Sequence, residues 1–206
     1  MAGTVICISH ASGAGGEEIG HLLADRLDLL YVDEEVIDHA ARRAGIDPEQ
    51  IADEERRKPL FAGLLDSLAE GGSQVLISSP ATVELRNEAV RAFIRLAIRE
   101  VAARGNVVIV AHAASYAVDS ELRPLRVLVT GSGETRAQRV GAAQGLEDTE
   151  ATKFIKKSDS GRADYLKRFY GVSAELPIHY DLVINTDALS LEQAAALIAQ
   201  AVGDDR

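Results

Sequence analysis

The chain has 206 residues, of which 47% are hydrophobic and 26% charged, and its 22 basic and 32 acidic side chains leave a net charge of -10. These values are typical of one globular domain, and the acidic balance argues against a broad nucleic-acid or anionic-membrane surface, because both need clustered positive charge. Cys7 is the only cysteine, which excludes an internal disulfide and a metal site built from cysteines. The sequence has no leader-like or membrane-spanning apolar run, so we expect a cytoplasmic protein.

The first predicted elements are a buried strand, a glycine-rich turn and an amphipathic helix. Residues 4–8 are apolar and partly β-branched, as in a strand buried on both faces of a parallel sheet, and from Ile19 apolar residues recur at helical spacing. Between them, Gly13, Gly15 and Gly16 let backbone N–H groups point together at an anion where a helix begins. The stretch predicts a phosphate-binding loop, with a plain glycine turn as the alternative.

This turn departs from the Walker A pattern, G-x-x-x-x-G-K-[ST], in which the Lys reaches the phosphates and the hydroxyl holds Mg²⁺. If Gly15 is the second glycine, His10 stands at the first glycine position, Gly16 at the Lys and Glu17 at the Ser or Thr. The glycines that let the main chain bind phosphate are kept, but the lysine of the Walker pattern is missing. Glu17 is either a partner for the positive helix end or a source of repulsion that a metal or a nearby cation must offset.

The second predicted strand, residues 29–32, ends at Asp33. This places Asp33 at the carboxyl edge of the sheet, where ligands bind in open α/β folds. Asp33 either accepts a hydrogen bond from a substrate or caps the helix that follows. Residues 34–80 contain helical segments interrupted by Gly45 and Gly71-Gly72, and we interpret them as a mobile helical insert.

The rest of the chain alternates helices with buried strands. We predict a helix at 82–104, strands at 107–110 and 125–129, a helix at 134–143, a strand at 182–184 and a helix at 190–202. Five buried strands separated by helices predict a three-layer α/β/α fold around a five-stranded parallel sheet. The loops after the first, third and fourth strands should then meet at one edge, where a ligand would bind.

The strongest local concentration of positive charge lies within residues 149–170. Its basic residues are Lys153, Lys156, Lys157, Arg162, Lys167 and Arg168. Arg136 and Arg139, three residues apart, share one face of the preceding predicted helix. One interpretation is a lid that brings cations to a transferring phosphoryl group while excluding water. The alternative is a solvated basic helix in which Asp159 pairs locally with Arg162.

Three stretches together resemble the cytidylate kinase-like family, relatives of the nucleoside monophosphate kinases within the P-loop kinases. They are the glycine loop at 6–20, the helix that begins Glu134-Thr135-Arg136-Ala137-Gln138-Arg139, and the lid, last strand and last helix at 156–165, 180–186 and 189–193. The likeness covers most of the chain except roughly residues 45–80. Many members of that family also have Gly where Walker A has Lys, usually followed by an Arg where this chain has Glu17.

The resemblance implies a single P-loop kinase-like domain over residues 1–206. Its core would comprise residues 1–33, 81–145 and 171–206, with an acceptor-side helical insert at about 34–80 and a lid at about 146–170. It also implies an ATP- and Mg²⁺-dependent phosphotransferase for a nucleotide or another small phosphorylated metabolite. A homodimer stays open, and the acidic composition already argues against a nucleic-acid or membrane partner. The alternative is a nucleotide-binding or regulatory pseudo-kinase with little catalytic activity.

The resemblance further assigns roles to individual residues. Donor-phosphate binding is expected at Ser12, Gly13, Ala14, Gly15, Gly16, Glu17, Arg136 and Arg139. Arg162, Asp159 and Lys156 of the lid are expected to be catalytic, and no side chain is assigned as a metal ligand. Asp33 would lie on the acceptor side. His112 stands where the family commonly has an acceptor-phosphate-binding Arg, so a weaker, pH-dependent cation is expected there.

Overall fold

A computed structural model describes residues 3–34, 37, 88–111 and 113–203. In chain order the elements are β1 Val5–His10, α1 Gly16–Leu27, β2 Leu30–Asp33, α2 Glu88–Arg104, β3 Val107–Val110, α3 Ala114–Ala117, β4 Leu125–Thr130, α4 Gly133–Gln144, α5 Asp148–Tyr170, β5 Leu182–Asn185 and α6 Leu191–Gly203. Two 3-10 turns, Ser120–Leu122 and Pro177–His179, precede β4 and β5. Most of the predicted insert at 34–80, the start of the helix predicted at 82–104, and His112 lie outside the described residues.

The five strands form one parallel sheet in the order β2-β3-β1-β4-β5. Within it, β1 is central, and Ile6 is the register partner of Val108 on β3 and of Leu125 on β4. All six residues of β1 are buried, as expected for a parallel strand covered on both faces. Because every strand runs the same way, the residues that follow the strands lie at one edge of the sheet.

Helices cover both faces of the sheet, which confirms the predicted three-layer α/β/α fold. Alternate residues of β1 enter opposite cores, as the two-residue period of a strand requires. One core joins Val5 and Cys7 to Phe93, Ala97 and Val101 of α2, and the other joins Ile6 and Ile8 to Ile19 and Leu23 of α1 and to Ala194 and Ile198 of α6. A smaller apolar cluster, Ala137, Val140, Ala151 and Ile155, holds α4 against α5.

The largest local difference from the predicted elements is at the end of β1. The strand was predicted to end at residue 8, but it continues through His10, because Ser9 and His10 remain paired with Leu128 and Val129 of β4. Both polar residues are buried, and the Ser9 hydroxyl donates to the hydroxyl of Ser115 across 3.1 Å. The glycine-rich turn is therefore shorter than the sequence pattern suggests and comprises residues 11–15.

The segment predicted as a lid, residues 146–170, lies mostly in one continuous helix, α5. Arg162 and Leu166 are buried on this helix, while Lys156 and Lys167 are exposed. No helix within the described residues combines the length and apolar character that a membrane crossing requires.

Candidate functional site

The turn between β1 and α1 contains two glycines in a backbone conformation that other residues rarely adopt. Gly13 and Gly15 have φ angles of 77° and 85°, in the left-handed region that favours glycine. A Cβ atom on Gly13 would lie 2.5 Å from the carbonyl oxygen of Arg136, and one on Gly15 would lie 2.5 Å from Cδ2 of Leu191. Since the first N–H groups of a helix have no acceptor within it, the N–H groups at the start of α1 are available to an anion.

Arg139 and Thr186 bind the carbonyl side of this loop. The Arg139 guanidinium donates to the hydroxyl of Thr186 at 2.8 Å and to its carbonyl at 2.9 Å, and it lies 3.4 Å from the carbonyl oxygens of Gly13 and Ala14. The Thr186 hydroxyl also lies 3.0 Å from the carbonyl oxygen of Ala14. In a trans peptide the C=O and N–H point in opposite directions, so the N–H of Gly15 points away from Arg139. These contacts give Arg139 the position of a brace for the loop.

Arg136 forms a two-pronged ion pair with Asp159 beside the same loop. Its Nη1 and Nη2 atoms donate to the two carboxylate oxygens at 2.8 and 2.7 Å, and Nη1 lies 3.4 Å from the carbonyl oxygen of Ser12. The Arg136 side chain is 8% exposed, whereas that of Asp159 is 43% exposed. The hydrogen bonds that Arg136 donates to Asp159 raise the pKa of Arg136, against the opposing effect of burial. Within the described residues, the buried Nε of Arg136 has no hydrogen-bond partner.

Arg162 connects α5 to the end of β1. Its Nη1 donates to the carbonyl oxygen of His10 at 2.9 Å, and its Nη2 and Nε donate to the Glu175 carboxylate at 2.5 and 3.2 Å. Glu175 also accepts a hydrogen bond from the hydroxyl of Tyr180. The pKa of the neighbouring Tyr116 is raised to about 12, mainly by burial and secondly by the charge of Glu175. The partner of Arg162 is therefore Glu175, and that of Asp159 is Arg136.

A third contact joins the loop to α5. The hydroxyls of Ser12 and Ser158 are 2.6 Å apart, within hydrogen-bonding distance. With the contacts of Arg136 and Arg162, it places α5 beside the turn between β1 and α1. The predicted donor-phosphate and lid residues therefore lie together, except for Lys156, which is exposed on α5.

Asp33 lies on β2, the edge strand that β3 separates from β1. It is the last residue of β2 and pairs in register with Val110, the last residue of β3. Its carboxylate accepts a hydrogen bond of 2.9 Å from the hydroxyl of Tyr31, whose ring stacks on His21 with 3.7 Å between centroids. The pKa of Tyr31 is raised mainly by burial and secondly by the nearby charge of Asp33. His112, predicted beside Asp33, lies outside the described residues.

Four residues of this arrangement were not predicted from the sequence. They are Ser158, Glu175, Tyr180 and Thr186. Thr186 directly follows β5 at the ligand-binding edge, so a polar residue after a buried strand was an available signal. The segment that carries Glu175 has no periodicity, and nothing in the sequence pairs it with Arg162.

The sequence of this chain is similar to that of a known family and of several known proteins. The family model described as "Cytidylate kinase-like family" matches residues 5–188. A cytidylate kinase from Pyrococcus horikoshii is 30% identical over 156 residues, which are 75% of this chain and 79% of that protein. One from Ignicoccus hospitalis is 26% identical over 195 residues, 95% of this chain and 96% of that protein. A third, from Methanopyrus kandleri, is 26% identical over 112 residues, and this match covers 50% of the chain and 58% of that protein.

Solved structures share the fold. A crystal structure of an uncharacterized protein from Eubacterium ventriosum has a TM-score of 0.70 and 18% identity, covering 98% of this chain and 99% of the other. The shikimate kinase from Bacteroides thetaiotaomicron has a TM-score of 0.56 and 19% identity, covering 97% of this chain and 98% of the other. The architecture is thus of the P-loop kinase type, as predicted.

Proposed function

The chain belongs to the cytidylate kinase-like family, and on that premise we propose that it is a phosphotransferase. It transfers the terminal phosphoryl group of ATP, accompanied by Mg²⁺, to a nucleotide or another small metabolite. The related cytidylate kinases support a nucleotide as the acceptor. The observation that carries the proposal is the position of two buried arginines: Arg162 donates to the carbonyl oxygen of His10 at the end of β1, and Arg136 lies against the carbonyl oxygen of Ser12 in the loop that follows.

The loop fits a polyphosphate through its main chain. Gly13 and Gly15 hold conformations in which N–H groups converge on an anion, and the start of α1 adds the positive end of a helix dipole. The unpartnered Nε of Arg136 adds a buried donor near the loop. At the Ser or Thr position of the Walker pattern, Glu17 offers a carboxylate, which is a ligand type that Mg²⁺ accepts. The residues present therefore fit a magnesium-bound nucleoside triphosphate.

In the proposed reaction an oxygen of the acceptor attacks the terminal phosphorus, the bond to the bridging oxygen breaks, and ADP leaves. Negative charge on the transferring group is stabilised by fixed cations, which is the main contribution that proteins make to phosphoryl transfer. We assign this role to Arg162 and Arg136. Both guanidinium groups are paired with carboxylates, so phosphoryl oxygens must compete with Glu175 and Asp159 for them. Asp33, oriented by Tyr31, is assigned to the acceptor side.

A second candidate function is a nucleotide-binding pseudo-kinase. It is favoured by Gly16 and Glu17, which replace the Lys and the Ser or Thr of the Walker pattern, and by the carboxylate pairing of both arginines. Such a protein would bind a nucleotide without efficient transfer.

Two measurements test these functions. The first is a thermal-shift screen of nucleoside mono- and triphosphates with and without Mg²⁺. A ligand at one hundred times its Kd adds about 2.7 kcal/mol of stability, which raises the Tm of a chain of this size by roughly 5 to 10 °C. The second measures release of ADP from ATP in the presence of each monophosphate. A nucleotide kinase gives both signals, the thermal shift alone is expected of a pseudo-kinase or of a kinase whose acceptor is another metabolite, and the absence of both contradicts the two proposals.

The role of Arg162 is tested in the double variant Arg162→Met/Glu175→Gln. Both partners are changed because removing the arginine alone would leave a largely buried carboxylate without its counter-charge. We expect turnover to fall about a hundredfold or more, as when one donor to developing charge is lost. Lys167→Ala, at an exposed position on the same helix, is the matched control and should keep wild-type turnover. Equal turnover in the two variants would contradict the assignment.

A further inference from the structure

His10 and Gly16 share a single volume at the start of the loop. A Cβ atom built on Gly16 would lie 2.4 Å from Cγ of His10, 2.5 Å from its Cβ and 2.9 Å from its Cδ2. Real Cβ atoms do not approach other heavy atoms this closely, so a side chain at position 16 and an imidazole in this position exclude one another. Gly16 is therefore glycine for steric reasons, although its helical backbone does not itself demand glycine.

This arrangement is the reverse of the Walker A pattern at the same two positions. In G-x-x-x-x-G-K-[ST] the first position is glycine and the position after the second glycine carries the Lys. In this chain the first position carries a side chain, His10, and the Lys position has none. The ring of His10 thus lies against the first residue of α1, in the space from which a Walker lysine would start.

The position of His10 is fixed from several directions. Its backbone pairs with Val129 of β4, its carbonyl oxygen accepts the hydrogen bond from Arg162, and its side chain packs on Gly16. The residue is 8% exposed although it is polar. A group held in this way does not need to be ordered when a ligand binds, which favours its use in recognition.

We propose that His10 replaces the missing Walker lysine, and that its imidazole N–H donates a hydrogen bond to a phosphate oxygen of the donor nucleotide. Imidazole is suited to this role because each of its tautomers carries one N–H donor and its protonated form carries two. The inference rests on the proposed function, since it names a further binding residue of the same loop. It also explains how the cradle retains a side-chain donor when position 16 is glycine.

The experiment compares five variants by their Tm and by calorimetric titration with ATP and Mg²⁺. Gly16→Lys should lose stability and gain no affinity, because the new side chain collides with His10. His10→Phe should keep the ring volume but bind ATP about tenfold to a hundredfold more weakly, the loss expected for one hydrogen bond to a charged group. His10→Gly should show the same loss of affinity.

The double variant His10→Gly/Gly16→Lys is the decisive one. It restores the first glycine and the lysine of the Walker pattern, so it should recover the Tm lost in Gly16→Lys and the affinity lost in His10→Gly. The matched control is His10→Gly/Glu18→Lys, which adds a lysine to an exposed position of the same helix and should not recover the affinity lost in His10→Gly. Equal recovery in the control would attribute the gain to net charge and overturn the inference.

The outcomes separate this inference from the proposed function. If the wild-type protein binds ATP and His10→Phe binds it equally well, His10 is not a phosphate ligand and the function stands. If the double variant is as unstable as Gly16→Lys, the two positions do not share one volume and the inference is wrong. If the wild-type protein binds no nucleoside triphosphate, the proposed function fails and the inference fails with it.

Discussion

The substitution Thr186→Val tests whether the brace behind the glycine loop holds it in place. The side chain is 3% exposed, and valine has nearly the same shape but lacks the hydroxyl. That hydroxyl accepts from Arg139 at 2.8 Å, and its hydrogen is shared between the carbonyl oxygens of Ala14, at 3.0 Å, and Thr130, at 3.1 Å. Valine therefore removes one charge-assisted and one neutral hydrogen bond without opening a large cavity.

The expected cost follows from those two bonds. A hydrogen bond to a charged group contributes about 1.5 to 3 kcal/mol and a neutral one about 0.5 to 1.5 kcal/mol. Arg139 keeps its 2.9 Å bond to the carbonyl oxygen of residue 186, which reduces the loss. We therefore expect the free energy of unfolding to fall by about 2 to 3 kcal/mol, or the Tm by roughly 5 to 10 °C in a chain of this size.

Urea denaturation measures this free energy, with Thr130→Val as the matched control. Thr130 is partly exposed at the end of the adjacent strand, and its hydroxyl makes no hydrogen bond to any residue the structure describes. The control should change stability by less than about 0.5 kcal/mol. If the two variants have the same stability, the Thr186 hydroxyl does not stabilise the loop and the reasoning is refuted.

Two further predictions concern single titratable groups. Burial raises the pKa of Cys7 to about 12. A thiol reagent at pH 8 should therefore not label the folded protein but should label one thiol in denaturant. Rapid labelling of the folded protein would contradict the burial of Cys7. Hydrogen bonds from Thr135 and Ser132 lower the pKa of Asp187 below its usual 3.8. The Asp187 carboxylate therefore stabilises the fold above about pH 4, and this stabilisation is lost as the pH falls through the lowered pKa. Wild type should exceed Asp187→Asn in denaturant stability at pH 6, and the difference should shrink as the pH is lowered below about 4; a difference that stays constant down to the lowest pH at which the protein folds would exclude the carboxylate as its source.

The fold was predictable because its signals are local. Buried parallel strands such as Val107–Val110 are continuous apolar runs, and each is separated from the next by a helical pattern or a glycine. The glycine loop was predictable for the same reason. Its boundary was not, because Ser9 and His10 are polar residues that remain in the strand only through their pairing with β4.

The side-chain pairing at the site could not be predicted from spacing. Asp159 and Arg162 are one helical turn apart and suggested a local pair, yet their partners are Arg136 on α4 and Glu175 after α5. Which charges meet depends on how α4 packs against α5, through Ala137, Val140 and their neighbours. The close approach of His10 to Gly16 likewise appears only once the loop has folded.

The order of the strands has a consequence for how such a protein can diversify. The loop brace depends on residues next to β4 and β5, whereas Asp33 and Tyr31 belong to β2, on the opposite flank of β1. Substitutions at Arg139 or Thr186 therefore leave the hydrogen bond between Tyr31 and Asp33 in place. Under the proposed function, the residues on the acceptor side could change while the nucleotide-binding loop and its contacts are retained.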